Sequence, residues 1–571
     1  MSLKEKDIQT VDIESVAAEE KYVEATQFAD FNDKLDVEKY GATKRGLSSR
    51  HVSLLIIGQL IGTGLFIGLG KQLNQAGSLS LFLGFVYWAC FSVWPLMQAV
   101  GEMCSYLPIK GTFLHYCARW IDPALGFACT IVYLYTSMMF VCVELVGFSG
   151  VILFWNDLNP GIWVAIGLVS YLIFNIFGVR WYGEIEFVTS LMKALLIIGL
   201  MFFSLISMCG GNPKHNAYGF QHWKEGGLFR NFIAEGSTGN FLAWFQVLVY
   251  AAFSCGGPDL LAMISGEIQN PRKNIGLAAK KSYIRIYVFT LGGVFFMNCL
   301  CSAVNPSLVS ALADEAGSSG VLASPWVIGI KDVGVHGLDS LVNALVMSSA
   351  WSCGNAFFYG ATRCAYSASL AGYLPRFFSK CLKNGCPIYC VLGTLLVACL
   401  SFLCVNNSSM TVFYWFINLA TSGIVCAFVC LWLCYFKFRK ALIVNGIDIK
   451  SSQYEGWKAP KVVHPFLSYL GITNCCVVLL FNGFYVFVNG RFNVADLFTC
   501  YFAQVFFLVL YVFWKILKKT HIRSDDEADI FTGKDEIDAE ENMYLEEERN
   551  KPVRNGFVFK CGRVLMDFFF N

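Results

Sequence analysis

The chain of 571 residues is 56% hydrophobic and 16% aromatic yet only 15% charged, well below the roughly 25% charged residues of soluble domains, so its composition fits lipid rather than water as the main solvent. A net charge of +2 leaves no basic excess for binding nucleic acid. The 23 cysteines lie scattered through apolar runs, with neither paired zinc-type C-x-x-C spacing nor a secreted disulfide framework, and read as small hydrophobes packed in buried helices.

In chain order, residues 1–49 are polar, mixed in charge and dotted with lysines (Lys4, Lys6, Lys21, Lys34, Lys39, Lys44). They read as an N-terminal tail without a cleavable signal peptide. Residues 50–518 form the expected transmembrane domain. A crossing needs about 20 apolar residues, and by that measure about twelve segments follow one another. They lie near 51–76, 79–105, 124–155, 162–180, 187–209, 241–264, 284–304, 338–360, 388–405, 411–436, 467–488 and 494–517. Residues 519–571 carry an acidic run, "DDEADIFTGKDEIDAEENMYLEEER", and read as a solvated tail.

Basic residues gather in alternate loops: Lys110 and Arg119, Arg180, Arg272 to Lys281, Arg363 to Lys383, and Lys437 to Lys440. The long fifth loop, with Lys214, Lys224 and Arg230, is the exception. The positive-inside rule makes the basic set cytoplasmic, and an even number of crossings puts both termini there.

Two apolar segments carry residues that a helix at mid-bilayer depth should avoid. The first contains "IGQLIGTGLFIGLG" (57–70), with Gly58, Gly62 and Gly64 in its first half; each interior glycine costs roughly 0.5–1 kcal/mol relative to alanine. The sixth contains "VYAAFSCGGPDLLAMISGE" (249–267), where Gly256, Gly257 and Pro258 precede Asp259. A helix-interior proline costs about 3 kcal/mol, and a carboxylate at that depth roughly 2.5–3.5 kcal/mol. Broken backbone survives in a membrane only where it lines a protected cavity. The first and sixth helices are the pair interrupted in five-plus-five inverted-repeat transporters. Amides exposed at Gly62, Thr63 and Gly64 would then hold a carboxylate, and carbonyls between Phe253 and Gly257 an ammonium, together the two charges of an α-amino acid. The competing reading is a glycine face for close helix packing.

The chain resembles the fungal amino-acid permease family of the amino acid–polyamine–organocation superfamily. The likeness covers residues 44–520 and rests on "LIGTGLFIGLG" (60–70), "GEM" (101–103), "GVRWYGEIEF" (178–187), "SGEIQNPRKNI" (265–275) and "YGATR" (359–363). It implies an all-α, leucine-transporter-like fold and proton-coupled uptake of amino acids at the plasma membrane by alternating access. By the same resemblance, Gly62, Thr63 and Gly64 match the carboxylate-binding loop and Phe253 the aromatic lid. Ser254 and Cys255 supply carbonyls to the ammonium, and Asn355 and Tyr359 match polar positions of the eighth helix. Asp259 stands where relatives carry glutamate, and Pro258 and Trp351 depart from the family pattern. Asp259, Glu144 and Lys193 are the candidates for coupling or side-chain selectivity. Intramembrane carboxylates are functional by default, whereas Lys193 has the alternative of snorkelling to the interface. Glu102, Glu184, Glu186 and Glu267 with Arg272 are expected to form gating or structural ion pairs.

The expected partners are the amino-acid substrate, protons and membrane lipid, with a ubiquitin ligase and trafficking factors acting through the tails; Cys561 is a candidate for acylation. No cofactor and no metal site is expected. There is no GxxxxGK[ST] loop and no nucleophile–base constellation, which argues against an ATP-driven pump and an enzyme. A non-transporting sensor on the same fold, and a carrier of a cationic solute such as a polyamine, carnitine or a sulfonium compound, are the other readings.

Overall fold

A computed structural model describes residue 58 and residues 61–550, apart from 109–112, 177–178, 266–267, 269, 314–323, 383–384, 450–453, 455, 489 and 491. The N-terminal tail, Lys110, Glu267, Lys383 and Cys561 therefore lie outside the described residues. The architecture is all-helical. The first segment breaks at a bend over Ile61 and Gly62, which leads into the single-turn α1 (Thr63–Phe66), followed by α2 (Leu69–Ala76). Then follow α3 (Ser78–Tyr106), α4 (Pro123–Ile152), α5 (Pro160–Ile176) and α6 (Val179–Met208). The sixth segment is split between α7 (Gly236–Ser254) and α8 (Pro258–Ile264). It is followed by α9 (Pro271–Leu300), α10 (Leu338–Leu370), α11 (Ile388–Val405), α12 (Ser409–Val444), α13 (Val463–Phe481) and α14 (Val494–Lys518). A last helix, α15 (Lys534–Asn550), lies in the acidic tail.

Among the described residues nine helices are long and apolar enough to cross a membrane. The other three expected crossings fall on the 17-residue α5, the 33-residue α10 and the first segment, described only at 58 and 61–76; none of these is among the nine.

Helix α4 is the central post, packed along much of its length on α10 and α12. Its start is set by Asp122, whose side chain accepts the Ala124 N–H at 2.9 Å ahead of Pro123 in the first turn, a cap worth about 1 kcal/mol. The same carboxylate meets Lys515 of α14 at 2.5 Å. Helix α14 is peripheral: Leu508, Val512 and Ile516 stand exposed on its outer face, as a lipid-facing helix requires.

The acidic tail is not a solvated appendage over residues 521–541, contrary to its composition. Ala528, Ile530 and Ile537 are buried. Lys437 pairs with Asp525 at 2.6 Å and Arg119 with Asp529 at 2.7 Å, and Arg272 grips both Asp538 and Glu541. The Arg523 amide donates to the Ile121 carbonyl and the Trp120 indole N–H to the Asp529 carbonyl, both at 2.8 Å. The basic loops thus bind the chain's own acidic tail.

Candidate functional site

The two helix breaks face each other across one cavity. Gly62 and Gly64 come from the first break, Phe253, Ser254, Gly256 and Asp259 from the second, Phe140 and Glu144 from α4, Phe357 from α10 and Ile424 from α12. The space open to the centre of a water-sized sphere is about 30 Å³, room for roughly two waters at ~10–15 Å³ each.

The first break is satisfied by side chains from helices around it. Lys193 of α6 donates to the Gly58 carbonyl at 2.8 Å, Ser349 of α10 to Ile61 at 3.0 Å, and Tyr250 of α7 to Gly64 at 2.7 Å. Ser324 donates to the Phe66 carbonyl at 2.6 Å. This internal satisfaction lets a helix open where no water from a lipid phase can help. The glycines serve approach as well as freedom. A Cβ on Gly62 would meet Glu144 Oε1 at 2.6 Å and Cys353 Sγ at 2.8 Å; one on Gly64 would meet Phe253 at 3.0 Å and Ser254 Oγ at 3.3 Å. The glycines thus serve close packing, as the competing reading expected.

The second break turns on Gly257, at φ +126°, a conformation that residues with a Cβ rarely adopt. Pro258 then opens α8, and Asp259 Oδ1 accepts the Gly257 N–H at 3.2 Å. Its other oxygen accepts the Tyr133 O–H at 3.0 Å, so the buried carboxylate is held by two donors.

Glu144 sits where the first break opens, accepting the Thr63 N–H with both oxygens at 3.3 Å. The protein's own carboxylate thus occupies an amide expected to hold a substrate carboxylate. Lys193 is 2% exposed, so it does not snorkel, and it lies within electrostatic range of both Glu144 and Glu186. Glu186 is 1% exposed and accepts from Ser190 at 3.1 Å and Ser352 at 3.2 Å. It belongs to this buried network, not to an end-of-helix ion pair.

Phe253 stacks on Phe140, with ring centres 5.3 Å apart at 12°, and Phe140 stacks on Phe357 at 4.3 Å and 7°. This three-ring wall was only one-third visible in sequence. Phe140 stands one turn before Glu144 on the same face of α4, a spacing that singles it out once Glu144 is suspected.

Other candidates fall elsewhere. Asn355 is not brought to the cavity: its Oδ1 accepts from Asn175 of α5 at 2.9 Å. Cys255 is buried and does not line the cavity; its amide donates to the Ala251 carbonyl at 2.9 Å. Tyr359 lies under the Arg363 guanidinium, 5.0 Å from its ring centre. Glu102 forms an ion pair as expected, with Arg439 at 2.7 Å. Arg272 pairs with the acidic tail, and the Glu184 side chain lies outside the described set.

The amino acid permease family model matches residues 51–527. A proline-specific permease of Emericella nidulans is 38% identical over 88% of this chain and 90% of its own length. A probable proline-specific permease of Schizosaccharomyces pombe is 37% identical, covering 89% and 92%. A proline-specific permease of Saccharomyces cerevisiae is 34% identical, covering 89% and 81%.

Proposed function

Because the chain belongs to the amino acid permease family and is a multi-pass membrane permease importing amino acids, we propose that its cargo is compact and apolar, proline foremost, taken up with protons across the plasma membrane. Both termini and the basic loops lie in the cytoplasm. The observation that carries this reading is the convergence of the two breaks on one small, aromatic-walled cavity. Gly62 to Gly64 take the substrate carboxylate, and the Phe253 to Gly257 break takes its amino group. The Phe253, Phe140 and Phe357 rings face a short apolar side chain or a pyrrolidine ring. A long side chain would have to displace that wall.

Coupling follows from Glu144. A substrate carboxylate arriving at the Thr63 amide competes with Glu144 for the same donor, and two carboxylates this close repel unless one takes a proton. Protonation of Glu144 clears the amide and admits the substrate; release to the other side returns the proton through the Lys193 and Glu186 network. A cationic cargo is the second reading, since Glu144 and Asp259 both line the cavity. Against it, each carboxylate already has donors within the protein.

The test is uptake of labelled amino acids in cells stripped of their own permeases, at acidic and neutral pH, with and without a protonophore. Acid-stimulated, protonophore-sensitive proline uptake whose acid stimulation is lost in Glu144→Gln supports the proposal. Preferential lysine or polyamine uptake moves it to the second reading, and no uptake despite surface expression overturns both.

A further inference from the structure

Four thiols scattered in sequence meet at one point outside the transport cavity, none of them lining it. Cys117 lies in the turn that leads into α4, Cys129 two turns into α4, and Cys430 and Cys434 one turn apart on the same face of α12. All four are buried. The sulfurs of Cys117, Cys129 and Cys430 lie within 4.8 Å of one another, and Cys434 Sγ is 3.4 Å from Cys117 Sγ.

We propose that this cluster is a binding site for a thiophilic d10 cation, Zn²⁺ or Cu⁺, that ties the start of α4 to α12. Sulfurs no more than 4.8 Å apart leave a point within about 2.8 Å of all three, and small side-chain rotations bring that to the ~2.3 Å of a Zn–S bond. In a tetrahedral sulfur site that bond length sets the sulfurs about 3.8 Å apart, a little beyond the 3.4 Å of the Cys117–Cys434 pair and inside the 4.8 Å that bounds the other three. Soft thiolate donors select Zn²⁺ or Cu⁺ over hard cations. Each ligating thiol gives up its proton to water as its sulfur lone pair binds the cation. Arg523 pins the turn that carries Cys117, donating from its guanidinium to the Arg119 carbonyl at 2.8 Å and from its amide to the Ile121 carbonyl. Two of the four ligands come from different elements than the other two, so no C-x-x-C spacing announces the site. The inference does not depend on which solute is carried.

The full chain, purified in detergent through a tag that binds no metal, is analysed by inductively coupled plasma mass spectrometry before and after loading with Zn²⁺ or Cu⁺. About one equivalent of one of the two metals per chain is expected, which also names the ion. It should fall below a tenth of an equivalent in Cys129→Ser and Cys430→Ser and persist in Cys475→Ser, a buried cysteine of α13 outside the cluster. Should the cluster variants not fold, Co²⁺ loaded into the unaltered protein must give thiolate charge-transfer absorption. No metal and no such absorption, metal retained in both variants, or a Cys117–Cys434 disulfide found in the protein as isolated would each overturn the proposal.

Discussion

Gly64 allows the tightest check at the residue scale. A Cβ there would press on Phe253 at 3.0 Å and Ser254 at 3.3 Å, overpacking that costs about 1–3 kcal/mol. Gly64→Ala should therefore lower uptake about tenfold or more while surface expression is kept, as read by labelled uptake beside surface biotinylation. Glu144→Gln separates binding from coupling: the neutral amide no longer repels a substrate carboxylate, so exchange across the membrane should persist and lose its pH dependence, while accumulation against a gradient disappears. A variant that still accumulates substrate in response to a proton gradient would refute the role given to Glu144. Most of this site was readable because its residues are costly where they stand. Glycines, a proline and two carboxylates at membrane depth demand a reason, whereas Phe140 and Phe357 hide among 51 phenylalanines. Asn355 was misplaced for a geometric reason: it lies two residues from Phe357 on α10, and positions two apart on a helix face different ways.

The acidic tail is the element whose behaviour departs furthest from its composition. With few apolar residues it reads as solvated, yet Ile530 and Ile537 are buried, three basic residues, Arg119, Arg272 and Lys437, grip its carboxylates, and its own Arg523 bonds the Arg119 carbonyl. The signal that would have found it is the charge match between the tail and the basic loops, which sequence assigns to topology alone. Burial of Ile530 is an apolar anchor, and Ile530→Ala should weaken docking by about 2 kcal/mol or more, seen as faster tryptic cutting between Lys519 and Arg523. Docking should also resist mild acid. Burial alone would raise the Asp529 carboxyl, but the Arg119 charge and the hydrogen bonds from Thr532 and Arg119 outweigh it and hold the group below the usual 3.8. A depressed carboxylate gives its full stabilisation above its unfolded value and loses it as pH falls through the folded one. Tryptic sensitivity, assayed after return to neutral pH against a brief cross-link, should be flat from pH 5 to 8 and rise only under about pH 4.

For the whole molecule, the crossings and the two interruptions were legible because hydropathy and helix-breaking residues are strong signals in lipid. Contacts between distant segments were not: the Lys193 bond to Gly58, the three-ring wall and the thiol cluster all join residues far apart in the chain. Together the breaks, the wall and the buried Glu144–Lys193–Glu186 network converge on one cavity, the geometry on which the proposed proton-coupled mechanism rests.

The most direct measurement is proline flux into liposomes holding only the purified protein, with an imposed proton gradient, alkaline inside. The account predicts saturable accumulation of proline above its outside concentration, collapsing on addition of a protonophore and absent in Glu144→Gln. Accumulation that ignores the gradient, or none beyond protein-free liposomes from protein shown to be folded, would contradict it.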